Sequence, residues 1–313
     1  MKKRKQNHQK TKKHNVAISC NLLKRLKKIC PTKTNQDLSN YCTIKIGGIG
    51  RYICFVKTIR QTKKLLLFLN KHNIKYFVLG NGSNVVFEDS GFSGVIVHTK
   101  YLNKIYTKSN RIVAGAGVNL FALNYFCAQN ALGGLEFSYG IPASVGGAVA
   151  MNAGAYGGEM QDVVSHALVC SKGKIKKILA KNMDFGYRHS IFLKNNDIIL
   201  RVVFKLKNED KDKIKLKQQE IFARRLESQP YGTLNSGSVF KRVGEGAGKI
   251  IDKIGLKSVT IGEIQISPKH ANFFVNIGHA TSQHLHSAIE FTKEQVRAET
   301  GIELEQEIIF VGD

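Results

Sequence analysis

The chain has 313 residues, 42% of them hydrophobic, with 48 Lys and Arg against 23 Asp and Glu, a formal charge of +25. That length fits two ordinary domains or three small ones; the apolar share excludes disorder for the bulk of the chain, and no run of 18 apolar residues offers a membrane span. The charge would attract polyanions, phosphorylated small molecules or anionic lipid, but it is spread along the chain without a nucleic-acid-binding motif, so neither nucleic acid nor membrane is expected as a partner.

Residues 1–36 contain no acid. Met1–Asn15 reads as a solvated, disordered basic tail; a transit peptide would favour Arg and Ser over this Lys-rich composition. Ile18, Leu22, Leu26 and Ile29 recur at helical spacing and predict a helix from Ile18 to Ile29. An alternating pattern follows. Strands are expected over Arg51–Lys57, Tyr76–Leu79, Val85–Phe87, Val95–His98 and Arg111–Ala114, with helices over Ile59–His72 and Leu120–Gln129. Gly133–Gly158 is rich in glycine and small apolar residues, which suits buried loops and tight turns. Beyond it, Val163–Cys170, Lys174–Leu179 and Asp197–Lys207 read as strands and Glu209–Glu227 as a charged helix, after which a domain boundary is plausible. The remainder predicts helices over Gly246–Ile254 and Ser282–Thr300 and short strands near Glu263–Ile266 and Phe273–Asn276. A last strand, Glu303–Phe310, would return to the body.

Cys20, Cys30, Cys42, Cys54, Cys127 and Cys170 form no CxxC pair. Neither a zinc site nor a thioredoxin-like site is expected, and no metal. No secretory signal is visible, so reduced thiols and a cytoplasmic location are expected.

Five segments can carry chemistry. Leu79-Gly80-Asn81-Gly82-Ser83-Asn84 lies between two strands. Its glycines let successive N–H groups turn into one anion-binding concavity, although Asn-Gly is also a common hairpin turn. Gly140-Ile141-Pro142-Ala143-Ser144-Val145-Gly146-Gly147 and the nearby Met151–Gly158 would let main chain lie directly against a flat ligand or a pyrophosphate, or would serve close helix–strand packing. Tyr187-Arg188-His189-Ser190 offers a guanidinium fork for a carboxylate or phosphate. Asn235–Lys241 places Ser238 at the start of a strand after a loop. If Glu303–Glu307 is a strand, its three glutamates share one face, which would normally meet solvent; burial of one would be the informative exception.

Taken together and in order, these segments resemble the UDP-N-acetylenolpyruvoylglucosamine reductase family. The resemblance covers roughly Tyr41 to Gly312 and is carried by LGNGSN (79–84), GLEFSYGIPASVGGAVAMNAGAYGGE (134–159), FGYRHS (185–190), SGSVFK (236–241), AGKIIDKIGLK (247–257), KHANFFVN (269–276) and LEQE (304–307). It implies an α+β fold of the vanillyl-alcohol-oxidase/PCMH type, in which two α+β subdomains hold FAD and a C-terminal α+β domain holds substrate. The expected boundaries are 16–99, 100–223 and 224–301, with 302–313 returning to the first. It also implies non-covalent FAD, NADPH as hydride donor, a UDP-sugar substrate and no obligate protein partner.

By the same resemblance, Arg188 binds and polarises the substrate carboxylate, Ser238 donates the proton and Glu307 assists charge and proton handling. Gly80, Asn81, Gly82, Ser83 and Asn84, with Gly140, Ile141, Pro142, Ser144, Val145, Gly146, Gly147, Asn152 and Gly154, are the expected FAD contacts. Tyr156, Tyr187, Lys257 and His270 are the expected substrate contacts. The chain departs from the family pattern at Gln306, where proline is usual, and at Arg242-Val243, where Asn-Pro is usual; the short stretch Ile191–Asp197 matches the subtype without a tyrosine-bearing loop. Two rivals stand beside this reading. A flavin oxidase on the same fold has no reason to carry Arg188, Ser238 and Glu307 together, and a basic nucleic-acid-binding protein would not purify yellow.

Overall fold

The computed structural model describes residues 21–108 and 111–313. The tail Met1–Asn15, Ile18 and Cys20 lie outside the described residues; a helix runs over 21–29. Five described cysteines are buried and unpaired.

Three sheets organise the chain. The first has four strands in the order Thr32–Asp37, Ile49–Phe55, Phe92–His98, Tyr76–Leu79. Its outer pair is antiparallel, and the other neighbours run parallel. The parallel crossover is made by the helix Ile59–Lys71. Thr58 caps that helix by accepting a hydrogen bond from Gln61 N–H, and Thr62, Leu65, Leu66 and Leu69 form the buried stripe expected of a helix lying on a sheet. The strand Thr32–Asp37 has no counterpart in the predicted pattern. It is a polar edge strand, TKTNQD, with no apolar alternation to read.

The second sheet is wholly antiparallel, ordered Lys174–Leu179, Val164–Ser171, Ile198–Phe204, Arg111–Gly115, Ile105–Lys108. The third joins Asn235–Ser238, Phe273–Asn276, Ile264–Ile266 and Thr260–Ile261, again antiparallel. Helix Ser282–Thr300 packs on it, capped by Thr281 and ended by Gly301 at φ +69°, a conformation glycine adopts without cost. Helix Lys211–Ser228 leads from the second sheet to the third. It starts two residues later than expected because the Asp210 carboxylate accepts from the N–H groups of Asp212 and Lys213.

The core is shared between these units. Leu38, Ile53 and Phe87 of the first pack in one cluster with Phe240, Phe274 and Ile289 of the third. A second cluster lies under the five-stranded sheet, where Leu120, Leu123, Val145 and Val149 meet Val169 and Val202. In the third, Leu26, Leu65, Leu66 and Leu69 meet Cys170, Ile198 and Leu200, fixing the first sheet to the second.

The predicted strand over Glu303–Phe310 is corrected. Strand geometry is confined to Ile309–Val311, which pairs in parallel with Val85–Phe87. Upstream, the chain makes only an isolated bridge, Phe240 to Gln306. The three glutamates therefore do not share a strand face. The side chains of Glu303 and Glu305 are largely exposed and that of Glu307 is 10% exposed.

Candidate functional site

Arg188, Ser238 and Glu307 all line one cavity of about 270 Å³, with Tyr187, Arg242, Lys249, His270 and Asn272. Each of the three arrives by a different local device. Arg188 sits at φ +52°, a left-handed conformation unusual for a non-glycine residue. A tight turn holds it, in which Gly186 and His189 exchange both backbone hydrogen bonds at 3.1 Å. Ser190 Oγ ties that turn to Ala150 O at 2.6 Å. Ser238 ends the strand Asn235–Ser238, whose register against Phe273–Asn276 is irregular just before it. Glu307 is set by backbone: its N–H donates to Val239 O at 2.7 Å, and Lys241 N–H donates to Glu305 O at 2.8 Å.

Arg188 Nε donates to Glu307 Oε1 at 2.8 Å and Arg188 Nη2 to Gly154 O at 3.0 Å. The guanidinium is thus oriented from both sides while its side chain keeps 21% exposure toward the cavity. Burial pushes the Glu307 carboxyl above the usual carboxylate range, and the charges of Arg188 and then Lys241 oppose that rise. The arrangement supplies a fixed cation, a buried carboxyl paired with it, and a half-buried hydroxyl within one cavity.

The expected substrate contacts divide. Tyr187 and His270 line the cavity. Arg242 N–H donates to Tyr187 Oη at 3.0 Å, so the residue that departs from the family pattern is fixed to the arginine turn. Burial pushes the His270 imidazole below its ordinary value, and its Nδ1 accepts from Asn272 N–H at 3.2 Å, which assigns the other nitrogen as the protonated one. Lys257 does not line the cavity; its ammonium pairs with Asp252 at 2.6 Å. Tyr156 lies elsewhere, over Arg225.

The two glycine-rich loops face each other. Asn81 Nδ2 donates to Pro142 O. A Cβ on Gly80 would stand 2.3 Å from Ser144 Oγ, and one on Gly82, at φ +69°, would stand 2.1 Å from Tyr41 O. The hairpin alternative for residues 79–84 fails on topology. Tyr76–Leu79 pairs with Phe92–His98, whereas Val85–Phe87 pairs with Ile309–Val311, so the loop joins two different sheets. Ser144 caps the short helix Val145–Ala150, and the N–H groups of Val145 and Gly146 are taken by Val118 O and Ala116 O. Gly147 N–H bonds Ser144 Oγ at 3.3 Å. Asn84 Nδ2 reaches Glu307 O at 3.2 Å, which ties the first loop to the cavity.

Asn152, expected to touch cofactor, is fully buried with its polar atoms occupied inside the protein. Nδ2 donates to Glu159 Oε2 at 2.9 Å and Gly186 O at 3.0 Å, and Oδ1 accepts from Gln161 N–H at 2.9 Å. It supports the arginine turn through the bond to Gly186 O. Sequence reasoning missed Asn272, whose amide bonds Phe240 N–H and Phe240 O and so holds the chain as it leaves Ser238. It also missed Arg225. Both could have been found as polar residues at apolar positions, Asn272 within KHANFFVN and Arg225 on the buried stripe Ile214, Gln218, Ile221.

Comparison with known proteins bears on this geometry. Residues 229–311 match the family model described as the C-terminal domain of UDP-N-acetylenolpyruvoylglucosamine reductase, and residues 51–178 match an FAD binding domain. The reductase of that name from Clostridium novyi is 39% identical over 90% of this chain and 92% of its own length. The one from Listeria welshimeri is 41% identical over 90% and 95%. A crystal structure of UDP-N-acetylenolpyruvylglucosamine reductase from Thermus caldophilus superposes with a TM-score of 0.76 at 32% identity, covering 90% of this chain and 98% of that one.

Proposed function

The chain belongs to the UDP-N-acetylenolpyruvoylglucosamine reductase family, and from that premise we propose how its own residues divide the work. The activity is the NADPH-dependent reduction of the enolpyruvyl ether of UDP-N-acetylglucosamine to UDP-N-acetylmuramate, in peptidoglycan precursor synthesis, on an FAD-binding α+β fold. FAD, when bound, carries the hydride from NADPH to the substrate. The loops at 79–84 and 140–147 fit that group: they lie together so closely that a side chain at Gly80 would meet Ser144, and Gly82 takes a left-handed turn against Tyr41 O. Arg225, whose Cδ and Nε lie against Gly140, has one buried guanidinium nitrogen, Nη2, with no hydrogen-bond partner among the described residues.

Reduction of a carbon–carbon double bond conjugated to a carboxylate puts charge on that carboxylate as hydride arrives and needs a proton at the neighbouring carbon. Arg188 binds the carboxylate and stabilises the charge; a preoriented donor of this kind in a sheltered site is worth roughly 3–4 kcal/mol. Ser238 donates the proton. Glu307 orients Arg188 through the bond from Nε and assists the handling of charge and proton in the cavity. Tyr187, Arg242 and His270 line the remainder of the cavity and contact the substrate. We assign 16–99 with 302–313, and 100–223, to the cofactor cradle and 224–301 to the closing unit; the pairing of Ile309–Val311 with Val85–Phe87 supports the first grouping. Among the described residues no helix is long and apolar enough to cross a membrane, and a cytoplasmic site of action, where NADPH and nucleotide sugars are available, follows from this reading.

The observation that carries the residue assignments is the Arg188–Glu307 pair sharing one cavity with Ser238. The test is spectroscopic. The purified protein should be yellow and release its flavin on denaturation; NADPH should bleach it and the UDP-enolpyruvyl sugar should restore the colour. A colourless protein that FAD does not reconstitute refutes the reading.

A further inference from the structure

Tyr187 and Arg188 are neighbours in the turn closed by the two backbone hydrogen bonds between Gly186 and His189. The helix Val145–Ala150 and the residues after it hold that turn on one side: Ser190 Oγ donates to Ala150 O at 2.6 Å and Asn152 Nδ2 to Gly186 O at 3.0 Å. Two side-chain bonds hold it on the other. Arg188 Nε donates to Glu307 Oε1 at 2.8 Å, and Tyr187 Oη accepts from Arg242 N–H at 3.0 Å. The Tyr187 ring also underlies the guanidinium, whose carbon lies 5.0 Å from the ring centroid, a cation–π distance.

These bonds close a circuit. From Arg188 it runs through Nε to Glu307, and from Glu307 N–H to Val239 O at 2.7 Å. It then follows the chain that leaves Ser238 as far as Arg242 and returns from Arg242 N–H to Tyr187 Oη, on the neighbour of Arg188. A single hydrogen bond leaves the arginine turn free to pivot about it. A second attachment on the adjacent residue removes that freedom, as a group held to a fraction of an ångström requires. The tie uses the backbone N–H of residue 242, so it does not depend on the side chain at that departure from the family pattern. Tyr187 is 49% exposed, so its ring adds little to the core, and the bond serves the site rather than the fold. An oxygen that accepts from Arg242 also keeps its own hydrogen for a ligand in the cavity that Tyr187 lines.

We propose that Tyr187 is a positioning residue for the reductive step: its bond to Arg242 N–H fixes the arginine turn to the chain that carries Ser238, and so sets Arg188 and Ser238 in register on one substrate. The proposal rests on the family reading for the reaction in which those two residues act. Tyr187→Phe keeps the ring and the volume and removes the acceptor. Stopped-flow measurement on the holoenzyme reads the two half-reactions. Reduction of the flavin by NADPH, which uses neither Arg188 nor Ser238, should stay within about twofold of the parent. The limiting rate of reoxidation at saturating UDP-enolpyruvyl sugar should fall by about 10–100-fold, the effect of a small misplacement of reacting groups. Tyr187→Leu, which also takes the ring from under the guanidinium, should fall at least as far. In an Arg188→Ala background Tyr187→Phe should add nothing, because residues that act as a unit are not additive. Three results overturn the proposal. Equal slowing of both half-reactions would mark a structural role, weaker substrate affinity at an unchanged limiting rate a direct contact alone, and additivity with Arg188→Ala an action independent of the arginine. Failure of the family reading shows separately, as a parent protein whose reduced flavin the sugar does not reoxidise.

Discussion

Replacing Arg188 by methionine should make the stability of the protein depend on pH in a defined direction. Glu307 is 10% exposed, its carboxyl is held up by burial, and Arg188 is the first of the charges that oppose the rise. Without the guanidinium the carboxyl rises further. An acid whose folded value lies above its unfolded value binds more protons when folded. The variant should therefore lose stability as pH rises from the ordinary glutamate value through the raised one, with the full cost present above it. Breaking a fully buried pair by removing one partner costs about 3–5 kcal/mol. Arg188 keeps 21% exposure, which puts the cost here nearer 2–3 kcal/mol. At roughly 2.1 cal/mol/K per residue of unfolding entropy, that is a fall of about 4 °C in melting temperature for a chain of 313 residues. Calorimetry between pH 5 and pH 9 at fixed FAD concentration measures it. The deficit should shrink toward pH 5, and Glu307→Gln in the same chain should flatten the profile. An equal deficit at every pH, or one that survives Glu307→Gln, would refute the assignment of a strained carboxyl to Glu307.

Three further outcomes are expected. Ser238→Ala should leave bleaching of the flavin by NADPH intact while slowing reoxidation by substrate about 10²–10⁴-fold; stopped-flow measurement of the two half-reactions decides, and the reverse pattern would move Ser238 to the nicotinamide or flavin. Gly80→Ala should lower flavin absorbance per protein, since the new methyl would meet Ser144 Oγ at 2.3 Å, an overpacking cost of about 1–3 kcal/mol; Ser144→Gly in the same chain should recover part of it, and full FAD occupancy in Gly80→Ala would contradict the contact. Asn152→Asp sets a carboxylate against Glu159 and Gly186 O, so it should slow reoxidation by roughly 10–100-fold through displacement of Arg188. In an Arg188→Ala background it should add nothing; additivity would count against the positioning role.

The sequence made most elements legible where an apolar or β-branched run is bounded by turn or capping residues. Tyr76–Leu79, Leu120–Gln129, Lys174–Leu179, Phe273–Asn276 and Ser282–Thr300 fall at the expected residues, because period and punctuation agree there. It was silent on Thr32–Asp37, whose backbone pairing leaves no apolar signature, and misleading at Glu303–Glu307, where an alternating string of charge reads as a strand. The site was legible as a set of motifs, but the pairings were not. That Arg188 would meet Glu307, or that Asn84 would reach Glu307 O, depends on contacts across more than a hundred residues. Asn152 and Lys257, expected from the motifs as cofactor and substrate contacts, also have partners inside the protein. A polar residue inside a ligand-binding motif can serve the motif's own architecture, as the bonds of Asn152 to Gly186 and of Lys257 to Asp252 do.

The departure at Gln306 illustrates why one unusual residue need not move the site. The two hydrogen bonds that flank the bridge from Phe240 to Gln306 use Glu305 O and Glu307 N–H, not the N–H of residue 306. A proline, which lacks that N–H, fits such a position, and so does glutamine. What glutamine adds is local: its Nε2 donates to Ile308 O at 2.8 Å, bracing the chain as it enters the strand Ile309–Val311. Glu307 is therefore held by the bonds of its own N–H to Val239 O and of Glu305 O to Lys241 N–H, on the stretch of chain that follows Ser238. The carboxylate and the hydroxyl are registered to each other through backbone, and the arginine to the carboxylate through Nε. Any substitution that preserves the bonds of Glu305 and Glu307 should leave all three in place, whatever side chain stands at 306.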